Sequence, residues 1–245
     1  MSNLNRINKK RKIIRFTTKT AKKIKNEPNS DDNIEEDEII TPAGVLDLLK
    51  ARDTDMIYRQ NNNIYFRADV TLRTINKLGR LIDEANLEFD LIAKSCYQGE
   101  ITPKPIYLRL TSDGGSIFSG LQAVDMIKNS KIPIYTVIEG SVASAGSFMS
   151  IVGKKRFMSE NSYILIHQLS STESGSFHQL TDSYKNNKNL MKHIKKLYIE
   201  HTNINRKDLD KVLAHDIFWN FATAKKYGFV DEMYKPDIIY ETTEK

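Results

Sequence analysis

Gly140-Ser141-Val142-Ala143-Ser144-Ala145-Gly146 is the stretch that decides the fold. It follows Ile132-Pro133-Ile134-Tyr135-Thr136-Val137-Ile138, a β-branched run with the composition of a buried strand. Phe148, Met149, Ile151 and Val152 then change the period to that of a short apolar helix, closed by Gly153. Ser144 is therefore expected where a strand turns into a helix. A hydroxyl there can be aimed outward, and free backbone N–H groups at the helix start can face a developing negative charge. A second glycine turn, Ser112-Asp113-Gly114-Gly115-Ser116, ends the alternating strand Ile106 to Leu110.

Outward from these two turns, strands alternate with helices, which indicates an α/β fold. Upstream, Pro42 opens a short helix from Gly44 to Lys50, and Asn63 to Arg67 reads as a strand. Val70, Leu72, Ile75, Leu78, Leu81, Ile82 and Ala85 recur at helical spacing, which predicts an amphipathic helix to about Ala85. Leu87 to Pro105 reads as irregular, and Ile117 to Asn129 as a helix with Leu121, Val124 and Ile127 inward. Downstream come strands Arg156 to Ser159 and Ser162 to Ile166, the second ending at His167. Ser176 to His201 is a long helix whose stripe is Phe177, Leu180, Tyr184, Asn187, Met191, Ile194 and Tyr198. On pattern alone the stripe fits docking on its own body, the commoner use, or on the same helix of another subunit. Arg206 to Ala214 and Phe221 to Tyr227 are short helices, the last stopped by Gly228.

The charge is unevenly placed. Residues 1–26 carry ten Lys or Arg and no acid, and residues 27–40 carry seven acids and no base. Residues 41–245 hold 27 Lys or Arg against 24 acids, a net of +3, so the basic character belongs to a tail. The expected division is a disordered charged tail over 1–40 and one folded domain over 41–245. The tail fits a transit peptide, a removable propeptide, a nucleic-acid-binding arm or a solvated extension. No basic stripe on the body marks a nucleic-acid binder. No apolar run approaches the roughly 20 residues of a membrane span, and the N-terminus lacks the apolar centre of a secretory signal. Cys96 is the only cysteine, which excludes an intrachain disulfide and suits a reducing compartment.

Three residue types suggest hydrolytic chemistry. Ser144 could serve as a nucleophile only with a base in reach and a third group to hold that base. Backbone N–H groups of Gly115 and Ala145 could supply an oxyanion hole. Small residues at Gly140 to Gly146 more often mean tight helix–strand packing, and Val142 breaks the Gly-x-Ser-x-Gly elbow of α/β-hydrolases. Among His167, His178, His193, His201 and His215, His167 is best placed, at the end of an apolar strand. A satisfied core histidine is its alternative. Asp216 lies among apolar neighbours that would partly bury it and give it reason to pair with an imidazolium. Its alternative is a helix N-cap. Neither a His-Glu-x-x-His motif, a cysteine cluster nor a phosphate-cradling loop is present, so no metal or cofactor is implied.

The chain resembles the proteolytic-subunit (ClpP) family of the Clp protease, within the ClpP/crotonase superfamily. Ile106-Tyr107-Leu108-Arg109-Leu110-Thr111-Ser112-Asp113-Gly114-Gly115-Ser116 is similar to that family's strand ending in Ser-Pro-Gly-Gly. Gly140 to Gly146 is similar to its nucleophile segment, and Ile164-Leu165-Ile166-His167-Gln168 to its histidine segment. Asp216-Ile217-Phe218 and Ala224-Lys225-Lys226-Tyr227-Gly228-Phe229-Val230-Asp231 are similar to its aspartate and C-terminal signature. The likeness runs from about Asn63 to Asp231. It implies stacked β-β-α units with a protruding handle helix at Ser176. It also implies Ser144 as nucleophile, His167 as general base, Asp216 as orienting carboxylate, and Gly115 and Ala145 as oxyanion donors. By the same resemblance the partners are copies of the chain in two stacked heptameric rings, an AAA+ unfoldase ATPase and unfolded polypeptide substrates. The implied compartment is the cytoplasm, or alternatively an organelle matrix. Asp113 replaces the family's proline, Leu169 replaces the proline after His-Gln, and Arg109 stands where an apolar or aromatic residue often serves ATPase docking.

The leading expectation is a serine endopeptidase. A catalytically inactive ring subunit is the second, opposed by an intact Ser144, His167 and Asp216. A crotonase-like acyl-CoA enzyme would be insensitive to a serine-reactive phosphonate. A binding module working through the tail would lose salt-sensitive nucleic-acid retention when residues 1–26 are deleted.

Overall fold

The computed structural model describes residues 56–95 and 101–235. The expected charged tail, the helix from Gly44 to Lys50 and Cys96 lie outside the described residues.

The architecture is mixed α/β, as expected. Among the described residues seven strands form one sheet: β1 (Ile57–Gln60), β2 (Asn63–Arg67), β3 (Ile106–Ser112), β4 (Ile134–Ala143), β5 (Lys155–Met158), β6 (Tyr163–Leu165) and β7 (Glu232–Met233). Their order is β1-β2-β3-β4-β5-β7, with β6 also on β4. β1 and β2 form an antiparallel hairpin, and every other pairing is parallel. Asn61 takes the positive φ of 54° that a two-residue hairpin turn requires. Among the described residues the helices are α1 (Leu72–Ser95), α2 (Ile117–Asn129), α3 (Ala145–Ile151), α4 (Phe177–His201), α5 (Arg206–Val212) and α6 (Phe221–Lys226).

Alternation along β3 buries Ile106, Leu108, Leu110 and Ser112 on one face, where α1 and α2 bring Ile75, Leu78, Ile82, Val124 and Ile127. Each such aliphatic side chain contributes about 1.5–3 kcal/mol by leaving water. The opposite face carries Tyr107, Tyr135, Phe157 and Tyr234 in mutual ring contact. At its edge Arg109 donates to Glu139 at 2.8 and 2.5 Å and to Tyr234 Oη at 2.9 Å. Burial opposes charge on Arg109, but Glu139 outweighs it and holds the guanidinium pKa above its ordinary value. Position 109 is thus an ion-paired site at the rim of an aromatic surface.

Two expectations need correction. α1 does not stop at Ala85 but runs on to Ser95. Leu87, Leu91 and Ile92 there are more than half exposed, so the helix outlasts the buried face that marked it in the sequence. The long stripe of α4 also divides. Ile194 and Tyr198 are buried in the body, whereas Phe177 and Tyr184 are 79% and 68% exposed. The C-terminal half docks on its own domain and the N-terminal half projects as a handle. Gln179 Oε1 accepts the Ser176 N–H at 2.8 Å and closes the free end of the helix.

β4 is the strand that brings the two halves of the sheet to one level. Its first half, Tyr135 to Ile138, pairs with β5, and its last residues, Ser141 to Ala143, pair with β6. Gly140, at a φ of 62°, lies between the two halves. A register shift in the facing β3 falls at the same level, between Leu110 and Ser112.

Candidate active site

Ser144 stands between β4 and α3, as expected, with φ 53° and ψ −127°. A non-glycine residue in that region is strained and must be held by its surroundings. Three groups hold it. Its N–H donates to Leu165 O at 3.0 Å, and its carbonyl accepts the Ser147 N–H at 3.0 Å and the Ser147 hydroxyl at 2.6 Å. Gly114 supplies the room: a Cβ there would lie 2.5 Å from Ser144 Cβ.

His167 reaches Ser144 through the parallel ladder. Ala143 pairs with Leu165, so the residues just beyond each strand end emerge side by side. His167 Nε2 lies 2.8 Å from Ser144 Oγ, a full hydrogen bond. His178, His193 and His201 lie along α4 and His215 follows α5, and none of them enters this arrangement.

Asp216 arrives by a second register. Ile164 and Trp219 form an antiparallel bridge, exchanging hydrogen bonds of 3.0 and 2.8 Å. Three residues on from Ile164 and three back from Trp219, the same register sets His167 opposite Asp216. Asp216 Oδ1 lies 3.3 Å from His167 Nδ1, looser than a charge-assisted bond of about 2.7–2.9 Å. Its side chain is 75% exposed, which corrects the expected partial burial. Ile217 and Phe218 point to solvent themselves and cannot enclose their neighbour. Nor is Asp216 a helix N-cap, since Asn220 caps α6 by accepting the Thr223 N–H at 3.1 Å.

Gly115 and Ala145 flank the same opening. Among the described residues neither backbone N–H has an intramolecular acceptor. The glycine turn is braced although Asp113 replaces a proline. Val70 donates to Gly114 O at 2.6 Å and accepts from Ser116 N at 2.7 Å. The resulting cavity, about 230 Å³, is lined by Gly115, Ser144, Phe148, His167, Leu169 and Tyr198, among others. Strand ends, a helix start and a cleft thus meet where α/β folds place their chemistry. The arrangement offers a hydroxyl bonded to an imidazole, a carboxylate on the far ring nitrogen and two unused N–H donors.

The sequence places Tyr198 and Met191 only in the stripe of the long helix and gives Ser147 no part in the site. The Leu169 N–H points to Met191 Sδ at 3.1 Å, so the position where the family has proline makes a bond that proline could not. The one readable sign was the repeat of hydroxyls at Ser144, Ser147 and Ser150, one helical turn apart.

Residues 83–237 match the Clp protease family, a span that includes all five candidate site residues. The chain belongs to that family and is a ClpP-type peptidase. It is 34% identical over 134 residues to the ATP-dependent Clp protease proteolytic subunit 2 of Treponema denticola, covering 54% of this chain and 67% of that protein.

Proposed function

We propose that this chain is a serine endopeptidase that cleaves unfolded polypeptides inside a ring assembly of its own copies, fed by a separate AAA+ ATPase. The observation that carries the reading is the 2.8 Å bond between Ser144 Oγ and His167 Nε2, beside two backbone N–H groups with no acceptor among the described residues. Ser144 donates its proton to His167 Nε2 as Oγ attacks the scissile carbonyl carbon. Asp216 accepts the Nδ1–H, fixes the tautomer and stabilises the imidazolium. The Gly115 and Ala145 N–H groups receive the oxyanion, each contributing about a hundred- to thousandfold in rate. His167 then protonates the leaving amine, and a water activated by the same imidazole releases the acyl group from Ser144. The projecting half of α4, with Phe177 and Tyr184 in solvent, supports association with further copies. An intact pair at Ser144 and His167 favours this reading over an inactive ring subunit.

Intact-mass analysis after fluorophosphonate treatment tests it. One adduct on the parent and none on Ser144→Ala is the expected result. An assembled parent that takes up no adduct would refute autonomous serine catalysis.

A further inference from the structure

A chain of hydroxyls leads away from Ser144 to the handle helix. The Ser147 hydroxyl donates to Ser144 O at 2.6 Å, so its oxygen is left to accept from Tyr198 Oη at 2.7 Å. Tyr198 belongs to the docked half of α4 and is 1% exposed. Its ring is fixed between Phe148 and Phe229, with centroids 5.8 and 5.6 Å away. Below Ser147 the ladder continues: Ser150 donates to Ser147 O at 2.9 Å, and Thr136 of β4 donates to Ser150 O at 2.6 Å. Burial raises the phenol well above its ordinary pKa, so Tyr198 remains a neutral O–H donor at every working pH.

This network bears on the strained residue itself. A positive φ at Ser144 persists only while its neighbours over-determine it, and the carbonyl that fixes its ψ is the one Ser147 holds. We infer that Tyr198 is a positioning residue for Ser144, orienting the Ser147 hydroxyl that secures the Ser144 carbonyl and so tying the nucleophile to the seating of α4. The inference rests on Ser144 being the nucleophile. It adds a residue remote in sequence to the reaction, and it gives the handle helix a physical path to the site. Met191, on the same helix, accepts from the loop just after His167. One helix therefore braces both sides of the Ser144–His167 pair.

The test uses the full chain in its assembled form. The second-order rate of Ser144 phosphonylation by a fluorophosphonate, with loss of fluoride, is measured across pH for the parent, Tyr198→Phe, Ser147→Ala and the double variant. Peptide kcat and KM and the melting temperature are measured in parallel. Tyr198→Phe keeps the ring and removes only the hydroxyl. It is expected to slow phosphonylation about tenfold, within the range a sub-ångström misplacement produces, while KM and the pH midpoint stay at parent values and stability falls only by the worth of one buried hydrogen bond. The double variant is expected to match Ser147→Ala alone, because Tyr198 acts only through Ser147. Parent-rate phosphonylation in Tyr198→Phe would overturn the inference. So would a rate loss fully accounted for by the unfolded fraction, or one that simply multiplies in the double variant. A parent that is not phosphonylated at all would instead bring down the Ser144 reading, and the inference with it.

Discussion

Replacing Gly114 by alanine should damage both the site and the fold, whereas Gly140→Ala should damage the fold alone. Both glycines have positive φ, 100° and 62°, so an added Cβ is strained at either. That strain costs about 1–3 kcal/mol. Their surroundings differ. At Gly140 the new Cβ would meet Thr111 Cγ2 at 3.6 Å, an ordinary contact. At Gly114 it would stand 2.5 Å from Ser144 Cβ and 2.9 Å from Ala143 O. Carbon atoms pack at about 3.5–4.0 Å, so the two turns must part by roughly 1 Å. A displacement of that size at a reacting atom costs about a hundredfold in rate. Overpacking adds about 1–3 kcal/mol to the loss of stability. The assay is fluorophosphonate phosphonylation of each folded variant, with urea denaturation in parallel. Gly114→Ala should react about a hundredfold more slowly, and Gly140→Ala at the parent rate, each with a lowered midpoint. Equal phosphonylation rates for Gly114→Ala and the parent would refute the claim that Gly114 makes room for Ser144.

Three further outcomes are expected. Asp216→Asn should lower peptide kcat/KM by about a hundredfold rather than the roughly ten-thousandfold seen where such a carboxylate is buried, because Asp216 is exposed and 3.3 Å from its partner. Steady-state kinetics decides between the two. Tyr184→Asp, at a 68% exposed handle position, should shift the assembly to smaller species in sedimentation velocity without lowering the melting temperature of the subunit; an unchanged sedimentation profile would count against the handle as an association surface. Asp231 is ion-paired with Arg156 and also accepts the Arg156 N–H at 2.9 Å. Burial alone would raise its pKa, but the bonds from Arg156 outweigh that and hold it below the ordinary 3.8. Its stabilisation is therefore complete above pH 3.8 and lost as pH falls through the lowered value. Asp231→Asn should remove about 1–2 kcal/mol at neutral pH, allowing for solvent screening, and flatten the acid side of a stability–pH curve from urea titrations.

The parts of the site that were legible in the sequence are those set by local pattern. A β-branched run followed by small residues places Ser144 at a strand-to-helix switch, and an apolar strand places His167 at its end. Neither depends on contacts far along the chain. The exposure of Asp216 does depend on them. Ile217 and Phe218 read as burying residues, yet only Trp219 of that segment is inside, where it stacks on Tyr227 at 5.1 Å. β1 was passed over because Tyr58, Arg59 and Gln60 show no apolar alternation, and Ile57 alone is buried. The end of α1 was set too early for a related reason. Beyond Ala85 the helix keeps only Phe89 against the core and is tied to the body through Glu88 with Arg59 and Asp90 with Lys131, so the apolar spacing that marks its first half fades. The stripe of α4 looks uniform in sequence because the same spacing serves a docked half and a projecting half.

The two registers also explain why the three side chains differ so much in their setting. Ser144 and His167 leave adjacent parallel strands at the same level, and every hydrogen bond of that ladder resists their separation. Asp216 comes back outside any regular strand, between an antiparallel bridge at Trp219 and the bond that Gln168 N–H donates to Leu213 O at 2.9 Å. These backbone ties flank Asp216 but do not grip its side chain, which is exposed and approaches His167 only to 3.3 Å. The chain order serine, histidine, aspartate comes from the same path, since β4 must precede β6 and the return to β6 must come last. On this geometry the fold preorganises Ser144 and His167 for the roles proposed for them. The carboxylate is the member whose hold on the imidazole has most to gain from tightening.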